Sequence, residues 1–156
     1  MEYTDLLHEL LQEEQELQFT RFTNETALQI GCRIAEVVRL ENKTVTVDIR
    51  RNGQQLFHYA SPGTSADNDE WVLRKSRVVD RFGHSSKYME VLLKSTGRTL
   101  QQRFLLDPAE YAAYGGSFPI IIKDVGPVGT ISVSEYVDDH RLVTQVLREF
   151  VGRQEL

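Results

Sequence analysis

Asn52-Gly53 stands between two alternating runs, and no other feature of the chain constrains its fold so tightly. Thr44-Val45-Thr46-Val47-Asp48-Ile49-Arg50 precedes it and Gln55-Leu56-Phe57-His58-Tyr59-Ala60 follows it. A type I′ turn needs two residues that tolerate positive φ, and Asn-Gly supplies both, so a two-residue hairpin is predicted. An unbroken ladder from that loop pairs Ile49 with Leu56, Asp48 with Phe57, Val47 with His58 and Thr46 with Tyr59. One face then carries Val45, Val47, Ile49, Leu56, His58 and Ala60. The other carries Thr46, Asp48, Phe57 and Tyr59. Apolar groups on both faces imply cover on both, which places the chain in the α/β (α+β) class with helices on each side of a sheet.

The rest of the chain supplies those helices. Leu6, Leu7, Leu10, Leu11 and Leu17 recur at helical spacing over 4–17, with Glu13, Glu14 and Glu16 on a face expected to be solvated. A short strand over 17–22 leads to a helix capped by Thr23 or Asn24 and running to about Leu40. Gly31 in that helix implies close packing, and Cys32 is expected to be a small buried or half-buried side chain. A helix over 67–82 follows, capped by Ser65 or Asp67 and stopped by Gly83; a shorter one runs from Ser85 to Leu93 and closes at Gly97. Thr99 to Leu106 fits strand or helix. Asp107-Pro108-Ala109-Glu110 has the form of a capping box, so Pro108 to Ala113 reads as one or two helical turns. Ser117 to Lys123 and Val128 to Ser134 read as paired strands around Asp124-Val125-Gly126, and Asp138 or Asp139 caps a last helix through Phe150.

Composition narrows the function classes. Eighteen Lys and Arg against twenty-three Asp and Glu give a net charge of −5, a poor balance for binding nucleic acid through phosphates. One cysteine excludes an internal disulfide and a cysteine-based zinc site. The acidic start lacks an apolar segment and no run approaches the ~20 apolar residues of a membrane span, so a cytoplasmic protein with no membrane partner is expected. No repeat or linker is evident, so residues 1–156 read as one domain: an N-terminal helix over 1–17 and a core over 18–152.

Candidate chemistry is sparse. His8, His58, His84 and His140 show no metal-ligand spacing, so no metal site is expected. His58 and His140 are the weak candidates for haem ligation; a hydrogen-bonded core role for His58 and a helix-end role for His140 compete with it. Arg74, Arg77 and Arg81 share one face of the 67–82 helix, with Lys75 alongside and Ser85-Ser86 just beyond. That face suits a carboxylate or phosphate; the competing reading is a solvated or intersubunit salt-bridge surface. Trp71 reads most simply as core. The Gly115-Gly116 turn lacks the form of a phosphate loop, and no catalytic motif appears.

Taken together, Asp48-Ile49-Arg50, Gly63-Thr64, Asp67-Asn68-Asp69-Glu70-Trp71, Arg74-Lys75, Arg81-Phe82, Ser85-Ser86, Tyr111, Gly115-Gly116-Ser117-Phe118-Pro119-Ile120, Gly129-Thr130-Ile131-Ser132-Val133-Ser134 and Asp139-His140 resemble the haem-degrading-domain family, the GlcG/HbpS-like superfamily, in its small uncharacterised branch. The resemblance covers roughly residues 17–150. It implies a profilin-like domain, an antiparallel sheet of about five strands with helices packed on both faces, usually assembled as a homo-oligomer. It also brings haem or a corrinoid into view as cofactor or ligand. One stretch departs from the pattern: Glu135-Tyr136-Val137-Asp138 after Ser134 is a shorter connection without Gly.

The leading expectation is a small-molecule-binding domain for a tetrapyrrole or a small anion. Its cleft lies near the start and basic face of the 67–82 helix, with Asn68, Arg74 and Lys75 as polar contacts, Trp71 as a wall, and Ser85, Ser86, Gly115 and Gly116 around it. A non-catalytic interaction or chaperone-like scaffold is the alternative, and a haem-degrading enzyme the third.

Overall fold

The computed structural model describes residues 2–136 and 138–154. In order, the chain forms α1 (Glu2–Glu16), β1 (Gln18–Phe19), α2 (Asn24–Leu40), β2 (Thr46–Arg51), β3 (Gln54–Ala60), α3 (Ala66–Phe82), α4 (Ser86–Thr96), α5 (Leu100–Phe104), β4 (Ser117–Ile122), β5 (Gly126–Ser134) and α6 (Asp139–Gln154). The sheet order is β1-β4-β5-β2-β3, antiparallel except for the parallel β1–β4 pair at one edge. α2 and α6 cover one face; α3 lies on the other, with α4 against β4 and α1 against α4.

The helix ends follow the local chemistry of the sequence. Thr23 caps α2, its Oγ1 accepting from the Thr26 amide at 3.2 Å while Thr26 Oγ1 accepts from the Thr23 amide at 3.1 Å. Ser65 opens α3, its amide donating to Asn68 Oδ1 at 2.8 Å. Gly83 and Gly97 close α3 and α4 in the left-handed region, where glycine carries no Cβ penalty.

Three expectations are corrected. The turn itself forms as read, with Asn52 and Gly53 at φ 50° and 82°, and Arg51 pairs Gln54 and Arg50 pairs Gln55. Then Leu56 is left over as a β-bulge and the ladder resumes with Ile49 opposite Phe57. One extra residue exchanges the faces of everything beyond it. Phe57 and Tyr59 join the side of Ile49 and Val47, and His58 moves opposite Asp48. Secondly, Pro108 begins a single turn, not a helix: Asp107 takes the Ala109 amide on its side chain and the Glu110 and Tyr111 amides on its carbonyl, and the chain then runs on irregularly. Thirdly, Cys32 is exposed. The Thr99–Leu106 ambiguity resolves as α5, capped by Thr99 and ended by Leu105 at φ 59°.

The main core lies between the sheet and α2/α6, where Phe19, Ile30, Ile34, Val47, Ile49, Phe118, Ile120, Ile131 and Leu147 are buried. Gly31 earns its place there: a Cβ on it would stand 2.3 Å from the Phe57 ring, so only glycine lets α2 descend onto β3. A smaller core joins Val78 of α3, Met89 and Leu93 of α4, and Leu100 and Leu106 around α5. Asp138 starts α6, accepting the Arg141 amide at 3.2 Å; of the short connection before it, Val137 lies outside the described residues.

Candidate functional site

The sheet face beneath α3 is polar. Thr46, Asp48, Ser117, Thr130, Ser132 and Ser134 are all buried there, small enough to let the helix approach closely. Ser117 and Ser132 hydroxyls meet at 2.7 Å, and Ser134 Oγ donates to the Asn68 carbonyl at 3.1 Å. Into this layer α3 sends Lys75, which is 3% exposed. Its Nζ donates to the Val133 carbonyl at 2.6 Å, the Gly115 carbonyl at 3.2 Å and Asp139 Oδ2 at 3.1 Å, which uses all three ammonium hydrogens. Burial holds the Lys75 ammonium below the usual lysine range, against the pull of Asp139, and burial likewise pushes the Asp139 carboxyl up, against the pull of Lys75. The ion pair thus ties α3, β5, the Gly115 turn and the start of α6 at one point. Gly116 makes room for it: at φ 137°, a Cβ would lie 2.4 Å from Nζ and 2.6 Å from the Val133 carbonyl oxygen.

Above this anchor opens a cleft of about 320 Å³ at the N-terminal end of α3, lined by Asn68, Trp71, Lys75, Tyr114, Gly115 and Asp139 among others. Four of the residues singled out in the sequence, Asn68, Trp71, Lys75 and Gly115, therefore converge. Trp71 and Tyr114 also form one end of a second hollow of about 620 Å³, between α3, α4, α5 and the 108–114 segment. Its walls include Leu93, Leu100, Pro108 and Tyr111, and its charged groups are Arg74, Arg98 and the Lys94–Glu90 pair at 2.8 Å. Both volumes lie within the range of about 300–1,000 Å³ typical of small-molecule sites. Trp71 is thus a half-buried wall between two hollows and not core. Its ring meets Tyr114 edge-on at 5.8 Å and carries the Arg74 guanidinium over its face at 4.2 Å.

The remaining candidates go elsewhere. Arg74 makes no ion pair to a carboxylate of the described residues, so its charge is available to the hollow. Arg77 is taken up by Glu110, through the carboxylate and the carbonyl, each at 3.1 Å. Arg81 lies 5.9 Å from the Phe82 ring centroid. The three arginines accordingly do not act as one anion site. Ser85 caps α4 and its amide donates to Glu14 at 3.1 Å; Ser86 exchanges hydrogen bonds with the Ser117 backbone. Both are buried and bind α4 to its neighbours, away from either hollow.

Three of the four histidines, His58, His84 and His140, are held by carboxylates, while His8 is exposed on α1. His58 Nδ1 is 3.0 Å from Asp48 and its Nε2 3.2 Å from Asp69. His140 Nε2 meets Glu13 at 2.8 Å, leaving Nδ1 buried without a partner. His84 Nδ1 meets Glu14 at 2.8 Å, and that bond raises the imidazole above its ordinary range. The acidic face of α1 is therefore not merely solvated: Glu14 is buried, and Glu13 and Glu16 also take Arg148. Among the described residues no cluster of three His, Cys, Asp or Glu side chains could hold a metal ion, and no helix is long and apolar enough to cross a membrane.

Tyr114, Tyr111, Arg98 and Asp139 were not singled out as site residues by sequence reasoning. Both tyrosines sit in the irregular 107–116 segment, Tyr111 within and Tyr114 just beyond the stretch Pro108–Ala113 expected to be helical, and nothing local signals that this segment folds back on α3. The fold is brought back by the Ala112 amide donating to the Arg74 carbonyl at 3.2 Å.

The model of the family described as "Haem degrading protein HbpS-like" matches residues 22–148. A UPF0303 protein of Streptomyces coelicolor is 45% identical over 146 residues, covering 92% of each chain. Among solved structures, the Ybr137w protein superposes with a TM-score of 0.87 at 31% identity, covering 96% of this chain and 90% of that one. The crystal structure of a PduOC:heme complex shares the fold, with a TM-score of 0.63 at 15% identity over 78% of this chain and 89% of that one.

Proposed function

The chain belongs to the HbpS-like family of haem-degrading proteins, and from that premise we propose that it is a cytoplasmic, homo-oligomeric binding protein for a planar anionic ligand, seated against Trp71. The observation that carries the reading is the Arg74–Trp71–Tyr114 group, because Trp71 and Tyr114 form a wall common to both hollows and Arg74 presents to the larger one a cation that no carboxylate of the described residues pairs with. A flat conjugated ring system gains apolar contact with Trp71, Tyr111, Tyr114 and Leu100, while its acidic arms are met by Arg74 and Arg98, Lys94 being paired with Glu90 at 2.8 Å. Asn68 and Gly115 border the smaller cleft, where Asn68 donates to Glu135 and the Gly115 amide to Glu90, each at 2.9 Å, and Lys75 keeps that cleft in shape.

A tetrapyrrole is the ligand class suggested by the family description and by the haem complex of a protein with the same fold. The walls and cations of the larger hollow suit the macrocycle and carboxylates of a haem. They do not suit histidine ligation of its iron, since none of His58, His84 and His140 lines either hollow and each is bonded to a carboxylate. Haem would supply redox chemistry of its own, and the chain's part would be to hold and orient the ring.

Titrating the purified protein with hemin and with cobalamin, followed by absorbance, tests the reading. A saturable spectral change with one of them is expected. Its absence with both, at micromolar protein, removes the tetrapyrrole.

A further inference from the structure

The open edge of the sheet is β3, and it differs from the rest of the surface. Residues 54–60 carry no Asp, Glu, Lys or Arg in a chain that is 26% charged, and Gln54, Gln55, His58, Tyr59 and Ala60 are exposed. A seven-residue edge without charge or proline lacks the usual defences against pairing with another strand; the bulge at Leu56 is its one irregularity. The opposite edge, β1, is two residues long.

Beside this edge runs a stripe of α2. Glu25, Leu28, Cys32, Ala35 and Arg39 recur at alternating steps of three and four, so they share one face of the helix. Glu25, Leu28, Cys32 and Arg39 are exposed and Ala35 is partly so; Leu28 is 47% exposed. Cys32, Ala35 and Arg39 line a groove of about 920 Å³ whose other wall is Phe57, His58 and Tyr59 of β3. The stripe and the uncharged edge therefore form one continuous surface.

The stripe is complementary to itself. Glu25 and Arg39 lie one heptad to either side of Cys32, at the acidic and basic ends of the exposed face. Two copies of α2 laid antiparallel set Glu25 of each against Arg39 of the other, Leu28 against Ala35, and the two Cys32 residues at the centre. We infer that this surface, the Glu25–Arg39 stripe of α2 with the β3 edge, is an isologous interface with a second copy of the chain, and that the second copy closes the groove between α2 and β3. A two-fold contact must place each patch on its own image, and the order of charges along the stripe satisfies that condition. The inference rests on the reading that the chain assembles with itself and assigns the surface by which it does so.

The test uses the full chain and exposed positions, so folding is not at issue. Light scattering gives the assembly state of the unaltered protein, Arg39→Glu, and the double variant Glu25→Arg/Arg39→Glu; oxidation by copper phenanthroline gives the Cys32 cross-link on a non-reducing gel. Arg39→Glu puts two like-charge contacts into each pair and is expected to weaken self-association roughly tenfold. The double variant restores it, and oxidation yields a covalent dimer that Cys32→Ser abolishes. A monomeric unaltered protein overturns both the assembly and this surface. An oligomer that Arg39→Glu leaves unchanged and that yields no Cys32 dimer overturns this surface alone.

Discussion

The guanidinium of Arg74 lies over the indole of Trp71, 4.2 Å from the ring centroid, one helical turn along α3. The contact orients a cation at the mouth of a hollow and leaves the other side of the wall to Tyr114. Both partners are on a rigid helix held down by Lys75, so the pair is preorganised before any ligand arrives.

If Arg74 meets an acidic arm of the ligand, Arg74→Ala weakens binding about tenfold, equivalent to ~1.4 kcal/mol. Arg74→Lys recovers only part of that, because an ammonium neither stacks on the indole nor forms a planar fork. Hemin titration of the three proteins checks it. Equal affinities would remove Arg74 from the site.

Lys75→Ala leaves the largely buried Asp139 carboxylate without its cation, with the Tyr136 amide at 2.9 Å as its remaining partner, and frees the Gly115 and Val133 carbonyls. Breaking one side of a buried pair costs about 3–5 kcal/mol, so a large fall in urea midpoint is expected. The double change Lys75→Met/Asp139→Asn should be milder than Lys75→Ala, since it leaves no lone buried charge. Denaturant melts of both variants distinguish this anchor from a solvated lysine, whose loss would cost little.

Gly31→Ala tests the close approach of α2 to the hairpin. The new methyl group would collide with the Phe57 ring, 2.3 Å away, and the ring is packed against the main core. A loss of about 1–3 kcal/mol is expected despite alanine's better helix propensity. Gly31→Ala combined with Phe57→Leu should cost less than the sum of the two.

The His84–Glu14 bond gives stability a defined pH dependence. The folded state holds the imidazole above its ordinary range, so the stabilisation is complete below that range, where both states are protonated. It is lost as pH rises through the raised folded value. Urea unfolding should therefore show lower stability at pH 8 than at pH 6, and His84→Gln should flatten that part of the profile.

Much of the architecture was legible because short-range chemistry fixed it. Asn52-Gly53, the helix caps and the Gly83 and Gly97 stops each act within a few residues; the turn and the stops formed as read, and of the two candidates at each helix start Thr23 and Ser65 are the caps. The bulge at Leu56 was not legible. It answers to the packing of Phe57 against Gly31, a contact between distant segments, and it carried His58 from the aliphatic face to Asp48. The same limit applies to the site. Asn68, Trp71, Arg74 and Lys75 stand on one helix and could be grouped from spacing. Tyr111 and Tyr114 reach it only because an irregular segment folds back, and Ser85 and Ser86, adjacent in sequence, turn into the interior to hold α4.

Trp71 is the only tryptophan in the chain, so its fluorescence reports on the proposed wall without labelling. The most direct measurement is a hemin titration of that emission in the unaltered protein and in Arg74→Ala, corrected for absorption by the ligand. Saturable quenching at one hemin per chain, displaced to roughly tenfold higher hemin in Arg74→Ala, is the expected result. Quenching that rises linearly without saturating, identical in the two proteins, would contradict a ligand seated against Trp71.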